Sequence, residues 1–276
     1  MTWASNHDAS IAKLEKVQGS LTVGLIMVPR NELLCCTPQQ TAAEIKALNV
    51  NGFSALPVQD ENGNFIGLYD AQRWFSDDAP DDPVIGDFLQ LSEAILVGAD
   101  ASIFEFIKSA DQQPTSLVVS GNQISGLISI SDLQQLPVRA ALFALITSLE
   151  MAMALAMDIH WGDDAESWLV HLPDDQQRRL RKDARRAEKS DTFVNLSVLT
   201  LFSHKTCVIL QLPNFREDEE KWATVFDDLR KLRNTLAHAG RYADTPKKAE
   251  EVCRLVREVF EIKELLSKTV PLRKGR

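Results

Sequence analysis

Residues that build covalent or metal cross-links are scarce here: four cysteines in 276 residues, Cys35, Cys36, Cys207 and Cys253. No two of them form a CxxC pair and the histidines are not clustered, so neither a disulfide framework nor a zinc site is expected. The thiols read as reduced and packed, which fits a cytoplasmic protein. A basic-then-apolar leader is also missing: MTWASNHDAS is polar, and nothing marks the chain for secretion. Only one apolar run approaches bilayer length, AALFALITSLEMAMALAM, residues 140 to 157. Glu150 near its middle, with Thr147 and Ser148 beside it, makes insertion unfavourable, so a buried or interface helix is expected and no membrane contact.

The length suits two domains of ordinary size. The net charge of −9 is unevenly spread. Residues 1 to 137 carry 6 Lys+Arg against 17 Asp+Glu, net −11, and residues 138 to 276 carry 24 against 22, net +2. Within the second half, QQRRLRKDARRAEK (176 to 189) holds Arg178, Arg179, Arg181, Lys182, Arg185 and Arg186 with few acids among them. This basic helix is a candidate RNA-binding face; the alternative is a solvated face that keeps the chain soluble.

The first half is an internal repeat. Residues 23 to 75 read as a short helix (VGLIMV), a strand (ELLCCT), a helix (TAAEIKALNVN), a strand (SALPVQD), a turn (ENGN), a strand (FIGLYD) and a further helix (AQRWFS). Residues 84 to 136 repeat that order with VIGDFL, AILVGA, ASIFEFIKSAD, TSLVVS, GNQ, ISGLIS and SDLQQL. Two units of roughly fifty residues, each too small to close a core alone, are expected to pack as one module.

The stretch GFSALPVQDENGNFIGLYD resembles the core of a cystathionine-beta-synthase (CBS) domain, and the paired arrangement resembles a Bateman module over about half the chain. The resemblance implies an α/β fold that senses an adenine nucleotide (AMP, ADP or ATP) or another adenosyl ligand in the cleft between repeats. Its ligand motif, a Ser or Thr three residues before an Asp, falls in GLISISDL on Ser129, for phosphate, and Asp132, for the ribose hydroxyls. In the first repeat GLYDAQRW puts Asp70 and Arg73 there. A carboxylate repels phosphate and an arginine cannot accept from ribose, so one competent pocket per chain is expected, with Arg73 turned towards phosphates. The other reading of Ser129 and Asp132 is a helix cap, and the two uses are compatible.

From Val138 onward helical periodicity takes over. Helices are expected near 138–160, 173–189, 191–211, 217–239 and 245–268, an all-α bundle. The predicted organisation is thus an N-terminal extension (1–20), a tandem CBS module (21–137) and a helical domain (138–276), an α+β multidomain chain. On the fourth helix Trp222, Val225, Phe226, Leu229, Leu232 and Leu236 form an apolar stripe. With Leu229 at zero and 100° per residue, Arg233 lies at about 40°, at the stripe's edge, and His238 near 180°. An arginine bordering a core needs an anionic partner or a ligand. Glu150, alone in the apolar helix, is the carboxylate expected to meet it. Gly240 is the expected C-cap, which leaves His238 in the last turn where the helix dipole favours the imidazolium.

Arg233-Asn234-Thr235-Leu236-Ala237-His238 resembles the signature of the HEPN superfamily: Arg, a polar residue, three more, then His. The resemblance implies a metal-independent endoribonuclease whose composite site forms across a homodimer, with no cofactor required and RNA as substrate. Histidine supplies a proton acceptor and donor near neutral pH for cleavage by the RNA's own 2′-hydroxyl, and arginine a forked positive charge for the phosphorane oxygens. Asn234, one turn before His238, is placed to orient the imidazole or the substrate. The competing class is a non-catalytic adenylate-sensing or dimerisation scaffold, in which Arg233 is a structural ion pair and His238 a helix-end hydrogen bond.

Overall fold

In the computed structural model, residues 13, 16, 19–75, 77–162, 166–189 and 196–269 are described. The chain divides into an α/β unit, residues 21–138, and a helical unit containing residues 139–276. The N-terminal extension lies mostly outside the described residues.

The α/β unit contains strands β1 (Val28–Pro29), β2 (Ala55–Gln59), β3 (Phe65–Asp70), β4 (Leu89–Gln90), β5 (Leu96–Gly98), β6 (Thr115–Ser120) and β7 (Gln123–Ser129), with helices α1 (Ala42–Leu48) and α2 (Ile103–Ser109). They make two sheets, β2-β3-β4 and β1-β7-β6-β5. Each repeat supplies an antiparallel hairpin, Ala55↔Asp70 to Gln59↔Phe65 and Thr115↔Ser129 to Ser120↔Gln123. The first turns at Gly63, whose φ of 77° favours glycine, and Asp60 Oδ1 accepts from the Asn62 and Asn64 amides at 2.9 and 2.8 Å. Thr41 and Glu44 close a capping box at the start of α1. Gly67 and Gly126 occupy equivalent repeat positions, and a Cβ at either would collide with the backbone of the adjoining edge strand, at Leu89 and Val28. Leu68, Ile95, Leu117 and Leu127 form a buried cluster drawn from both repeats, so neither closes its core alone.

Several expected elements are shorter than the sequence pattern suggests. ELLCCT is not a strand; its one sheet contact is the parallel bridge Cys36↔Val58, and residues 30–32 form a 3-10 turn. The helices expected at AQRWFS, VIGDFL and SDLQQL are 3-10 turns, at Gln72–Trp74, Val84–Gly86 and Ile130–Gln134. Segments this short cannot repay helix nucleation by packing.

The helical unit has α3 (Leu136–Trp161), α4 (Glu166–Leu169), α5 (Asp174–Lys189), α6 (Leu196–Leu199), α7 (Phe202–Ile209), α8 (Pro213–Arg216), α9 (Glu219–Ala237) and α10 (Pro246–Thr269). The helix expected over 191–211 is interrupted at Thr200 and Leu201, and its start lies outside the described residues. The Thr200 hydroxyl turns back to the Ser197 carbonyl at 2.6 Å, and the Lys205 ammonium takes the Thr200 carbonyl at 2.5 Å, so side chains satisfy the groups the break exposes. α3 is long and apolar enough to cross a bilayer, but 56% of its most apolar window is buried within the protein, as in a core helix. Ser148 on it is fully buried and accepts from Lys263 of α10 at 3.0 Å. The stripe on α9 is buried as its spacing requires, with Phe215 packed edge-to-face on Trp222 at 5.6 Å and tilted against Phe226 at 6.2 Å.

Candidate functional site

Arg233 and Asn234 stand in the last turns of α9, and His238, expected in the last turn, is instead its C-cap, with φ −98° and ψ 19°. Two side chains from elsewhere in the unit shape that helix end. Arg233 Nε lies 3.4 Å from Glu150 Oε1 on α3, with the glutamate side chain 16% exposed and the arginine 36%. No other partner engages the arginine's Nη groups among the described residues. His238 is exposed, and its imidazole has neither a hydrogen bond nor an ion pair among the described residues. Asn234 is exposed and makes no side-chain bond to His238; its carbonyl accepts the His238 amide at 3.1 Å.

The helix ends differently from the expected glycine cap. The left-handed residue is Ala239, φ 54°, and Gly240 is the residue after it, whose amide reaches back to the Thr235 carbonyl at 2.9 Å. This is a Schellman turn with alanine in the position that favours glycine. Glycine is required one residue later because a Cβ on Gly240 would press on the Thr235 methyl. The turn is clamped by Arg139, in the second turn of α3: Nη1 donates to the Leu236 carbonyl at 3.0 Å and, at 3.4 Å, to that of Thr235, while Nη2 donates to the Gly240 carbonyl at 2.6 Å. The same guanidinium lies 5.0 Å from the centre of the buried Tyr242 ring, whose hydroxyl pKa burial pushes up to about 12. Arg139 does the helix-end work that a structural His238 would otherwise do. Sequence reasoning missed it; its only signal was a basic residue opening an apolar helix.

A second missed residue is Lys205. It is 5% exposed, and burial lowers its pKa to about 8, with Glu150 and Asp158 opposing the shift and Arg233 reinforcing it. Glu150 and Arg233, from two other helices, thus act on the charge of Lys205. His204 beside it is buried, its pKa lowered by burial and then by Lys205, and its Nδ1 accepts from the Leu201 amide at 3.4 Å.

The basic residues of α5 are on the surface. Arg178, Arg181, Lys182, Arg185 and Arg186 line an open cleft of about 420 Å³; Arg179 is exposed outside it. Arg181 is held by Glu166 through two parallel contacts, 2.9 and 2.5 Å, which also lower the Glu166 pKa. Arg178 Nε donates to the Asp174 carbonyl at 3.2 Å.

In the α/β unit Ser129 and Asp132 stand together at the end of β7. Asp132 Oδ2 accepts from the Ser129 amide at 2.7 Å and its hydroxyl at 3.0 Å, and Oδ1 accepts from Gln135 Nε2 at 3.0 Å. Gln135 also donates to the Ile26 carbonyl at 2.7 Å. The pair is therefore a closed cap; burial, the largest influence, raises the Asp132 pKa against these donors. Arg73 is paired with Asp87 at 2.6 Å and lies over the Tyr69 and Trp74 rings at 5.9 and 5.5 Å, so a phosphate would have to compete with Asp87 for it. Among the described residues no group of His, Cys, Asp and Glu converges as a metal site.

No protein family matches the chain, and no curated protein does. Solved structures match its N-terminal half. The CBS domain of a bacterial CNNM/CorC family Mg2+ transporter in complex with ATP is 17% identical, with 48% of this chain and 96% of that chain covered and a TM-score of 0.38. The CBS-pair protein CBSX2 from Arabidopsis thaliana is 19% identical over 45% of this chain and 95% of that one, TM-score 0.36. CBSX2 in complex with AMP is 18% identical over 44% and 97%, TM-score 0.35.

Proposed function

We propose that the chain is a metal-independent endoribonuclease governed by an adenine nucleotide. The observation that carries the reading is the division of labour at the end of α9: Arg139 and the Schellman turn satisfy the helix end, leaving the His238 imidazole unused, while Glu150 comes no nearer to Arg233 than 3.4 Å, at Nε. An exposed imidazole and a guanidinium held by one ion pair, without a hydrogen bond, at one helix end are the groups that 2′-hydroxyl attack needs. In this reading one imidazole takes the 2′-hydroxyl proton, that oxygen attacks phosphorus, the Arg233 fork holds the equatorial oxygens, and a protonated imidazole gives its proton to the departing 5′-oxygen. His238 caps the helix end beyond the turn that carries Arg233, and in this reading two copies of the helix, related by a two-fold axis, bring acid, base and arginine to one phosphate. Asn234 orients the substrate. RNA approaches along Arg178, Arg179, Arg181, Lys182, Arg185 and Arg186.

The Ser129–Asp132 turn is the nucleotide subsite, its Asp132 carboxylate exchanging the Ser129 hydroxyl for ribose hydroxyls, and Arg73 contributes where a phosphate displaces Asp87. All four cysteines are free thiols, and the reading places the protein in the cytoplasm. Incubation of the full chain with structured and single-stranded RNA in EDTA is expected to give products ending in 2′,3′-cyclic phosphate, and His238→Ala to abolish them while remaining folded. No cleavage by the wild type, or a strict monomer in sedimentation at micromolar concentration, overturns the reading. The second reading is a non-catalytic adenylate-sensing scaffold, favoured by the Arg233–Glu150 pair. It holds if the protein binds AMP, ADP or ATP and cuts no RNA.

A further inference from the structure

Four positions that the second repeat fills with apolar side chains are small or polar in the first. Matching GLYDAQRW to GLISISDL, and the capped start of α1 at Thr41 to that of α2 at Ser102, sets Ala42 against Ile103, Lys46 against Ile107, Tyr69 against Ile128 and Trp74 against Leu133. All four second-repeat residues are fully buried. In the first repeat the same place holds a cavity of about 270 Å³, between α1, the end of β3 and the 3-10 turn that follows it. A chamber of about 150 Å³ is already enough for benzene.

The polar groups that line this cavity are short of partners. Tyr69 is 1% exposed, and its hydroxyl and the Trp74 indole nitrogen are both buried without a hydrogen bond among the described residues. Trp74 stands close enough to influence the hydroxyl, but the two do not align. Burial raises the Tyr69 pKa against the pull of Arg73, so the hydroxyl keeps its proton and can donate it. Buried donors left in this state are rare unless something meets them. Asn49 spends its amide on the Phe53 backbone, donating at 2.8 Å and accepting at 2.9 Å. Lys46 pairs at 3.2 Å with Asp77, whose side chain is fully exposed, so the contact is weak and a second anion can compete for the ammonium. No carboxylate lines the cavity among the described residues.

We propose that the first repeat binds a small aromatic carboxylate in this cavity, the ring lying on Ile45 with Val50 and Phe75 at the mouth, and the carboxylate accepting from Lys46, Tyr69 and Trp74. These three groups are all donors and one is a cation, which selects an anion with two acceptor oxygens over a neutral amide. The inference depends on neither the ribonuclease reading nor the nucleotide subsite at Ser129 and Asp132.

The test is calorimetry of the full chain with phenylacetate and indole-3-acetate, each compared with its amide. Wild type is expected to bind one acid per chain and the amides about tenfold more weakly, the loss of one charge-assisted contact. Lys46→Gln should bring acid and amide to within roughly twofold. Tyr69→Phe should weaken the acid about tenfold while leaving the free protein as stable in urea as the wild type, because its hydroxyl has no partner to lose. A tyrosine hydroxyl that serves only the fold predicts the reverse, lost stability and unchanged binding. Ala42→Ile, which installs the second repeat's residue, should fill the cavity and remove binding; should it not fold, Lys46→Gln and Tyr69→Phe decide. The inference is overturned if neither acid binds at millimolar concentration, if wild type binds acid and amide alike, or if Tyr69→Phe binds normally. Rival occupants overturn it with results of their own: AMP displacing the acid from Asp132→Ala assigns the cavity to a nucleotide, and absent acid binding with a smaller dimer fraction for Phe75→Ser in sedimentation assigns it to a second copy of the chain.

Discussion

Replacing Arg139 with alanine removes the clamp on the end of α9. Two of its contacts are good charge-assisted bonds, 3.0 Å to the Leu236 carbonyl and 2.6 Å to the Gly240 carbonyl, and the third, 3.4 Å to Thr235, is weak. A hydrogen bond to a charged group is worth about 1.5 to 3 kcal/mol, and a cation at a helix C-terminus adds about 0.3 to 1 kcal/mol. Stacking over Tyr242 contributes again, but the terms share one side chain and do not add fully. The expected loss is about 2 to 4 kcal/mol, or roughly 6 to 15 °C in the melting temperature of the helical unit. Urea unfolding measures the first quantity and calorimetry the second. Amide exchange adds a local readout: the His238 and Gly240 amides, bonded to the Asn234 and Thr235 carbonyls, should lose protection in Arg139→Ala before those of the helix centre do. Arg139→Lys, which keeps the charge but not the fork, should fall between. A loss below about 0.5 kcal/mol, or unchanged exchange at those two amides, would show that the Schellman turn stands without the clamp.

Three further outcomes follow from the same geometry. Asp132→Ala leaves the Ser129 amide and the Gln135 side chain without their carboxylate, so it should cost about 1 to 3 kcal/mol in urea unfolding as well as abolish AMP or ATP binding in calorimetry; normal nucleotide binding would remove Asp132 from the ligand site. Reversing Arg178, Lys182 and Arg185 to glutamate should lower the slope of log affinity against log salt for single-stranded RNA by roughly 2, at about 0.7 per lost phosphate contact, and an unchanged slope would leave the α5 cleft a solvated surface. Lys205 also governs stability with pH. Its folded pKa, about 8, lies below the ordinary 10.5, so the unfolded chain holds the extra proton between those values and stability should rise with pH across that window, by up to about 1.4 kcal/mol per pH unit. Cys36, raised to about 12 by burial, acts in the opposite direction above pH 9, which makes pH 8 to 9 the interval to compare with Lys205→Met; equal slopes there would refute the buried ammonium.

What the sequence revealed divides along the range of the interactions concerned. The β2–β3 hairpin was legible because an Asn-Gly turn and its flanking apolar runs act within a few residues, and the α9 stripe because burial imposes a 3.6-residue period. The Ser129–Asp132 turn was legible for the same reason, as its hydrogen bonds span three residues. Less visible was how little regular structure the short connecting segments adopt, since apolar residues such as Val84 are buried whether their backbone forms a strand or a 3-10 turn.

The charged centre of the helical unit shows where reading residue types stops and tertiary geometry begins. Glu150 could be paired with Arg233 beforehand because each is an ionisable group on an apolar face and each needs an opposite charge. Arg139 could not be placed, since its partners are backbone carbonyls about a hundred positions away that carry no side-chain signature. Lys205 was hidden differently: the break at Thr200 and Leu201 that creates its carbonyl partner falls in a segment whose composition predicts one continuous helix. Both missed residues act on atoms that every residue type possesses.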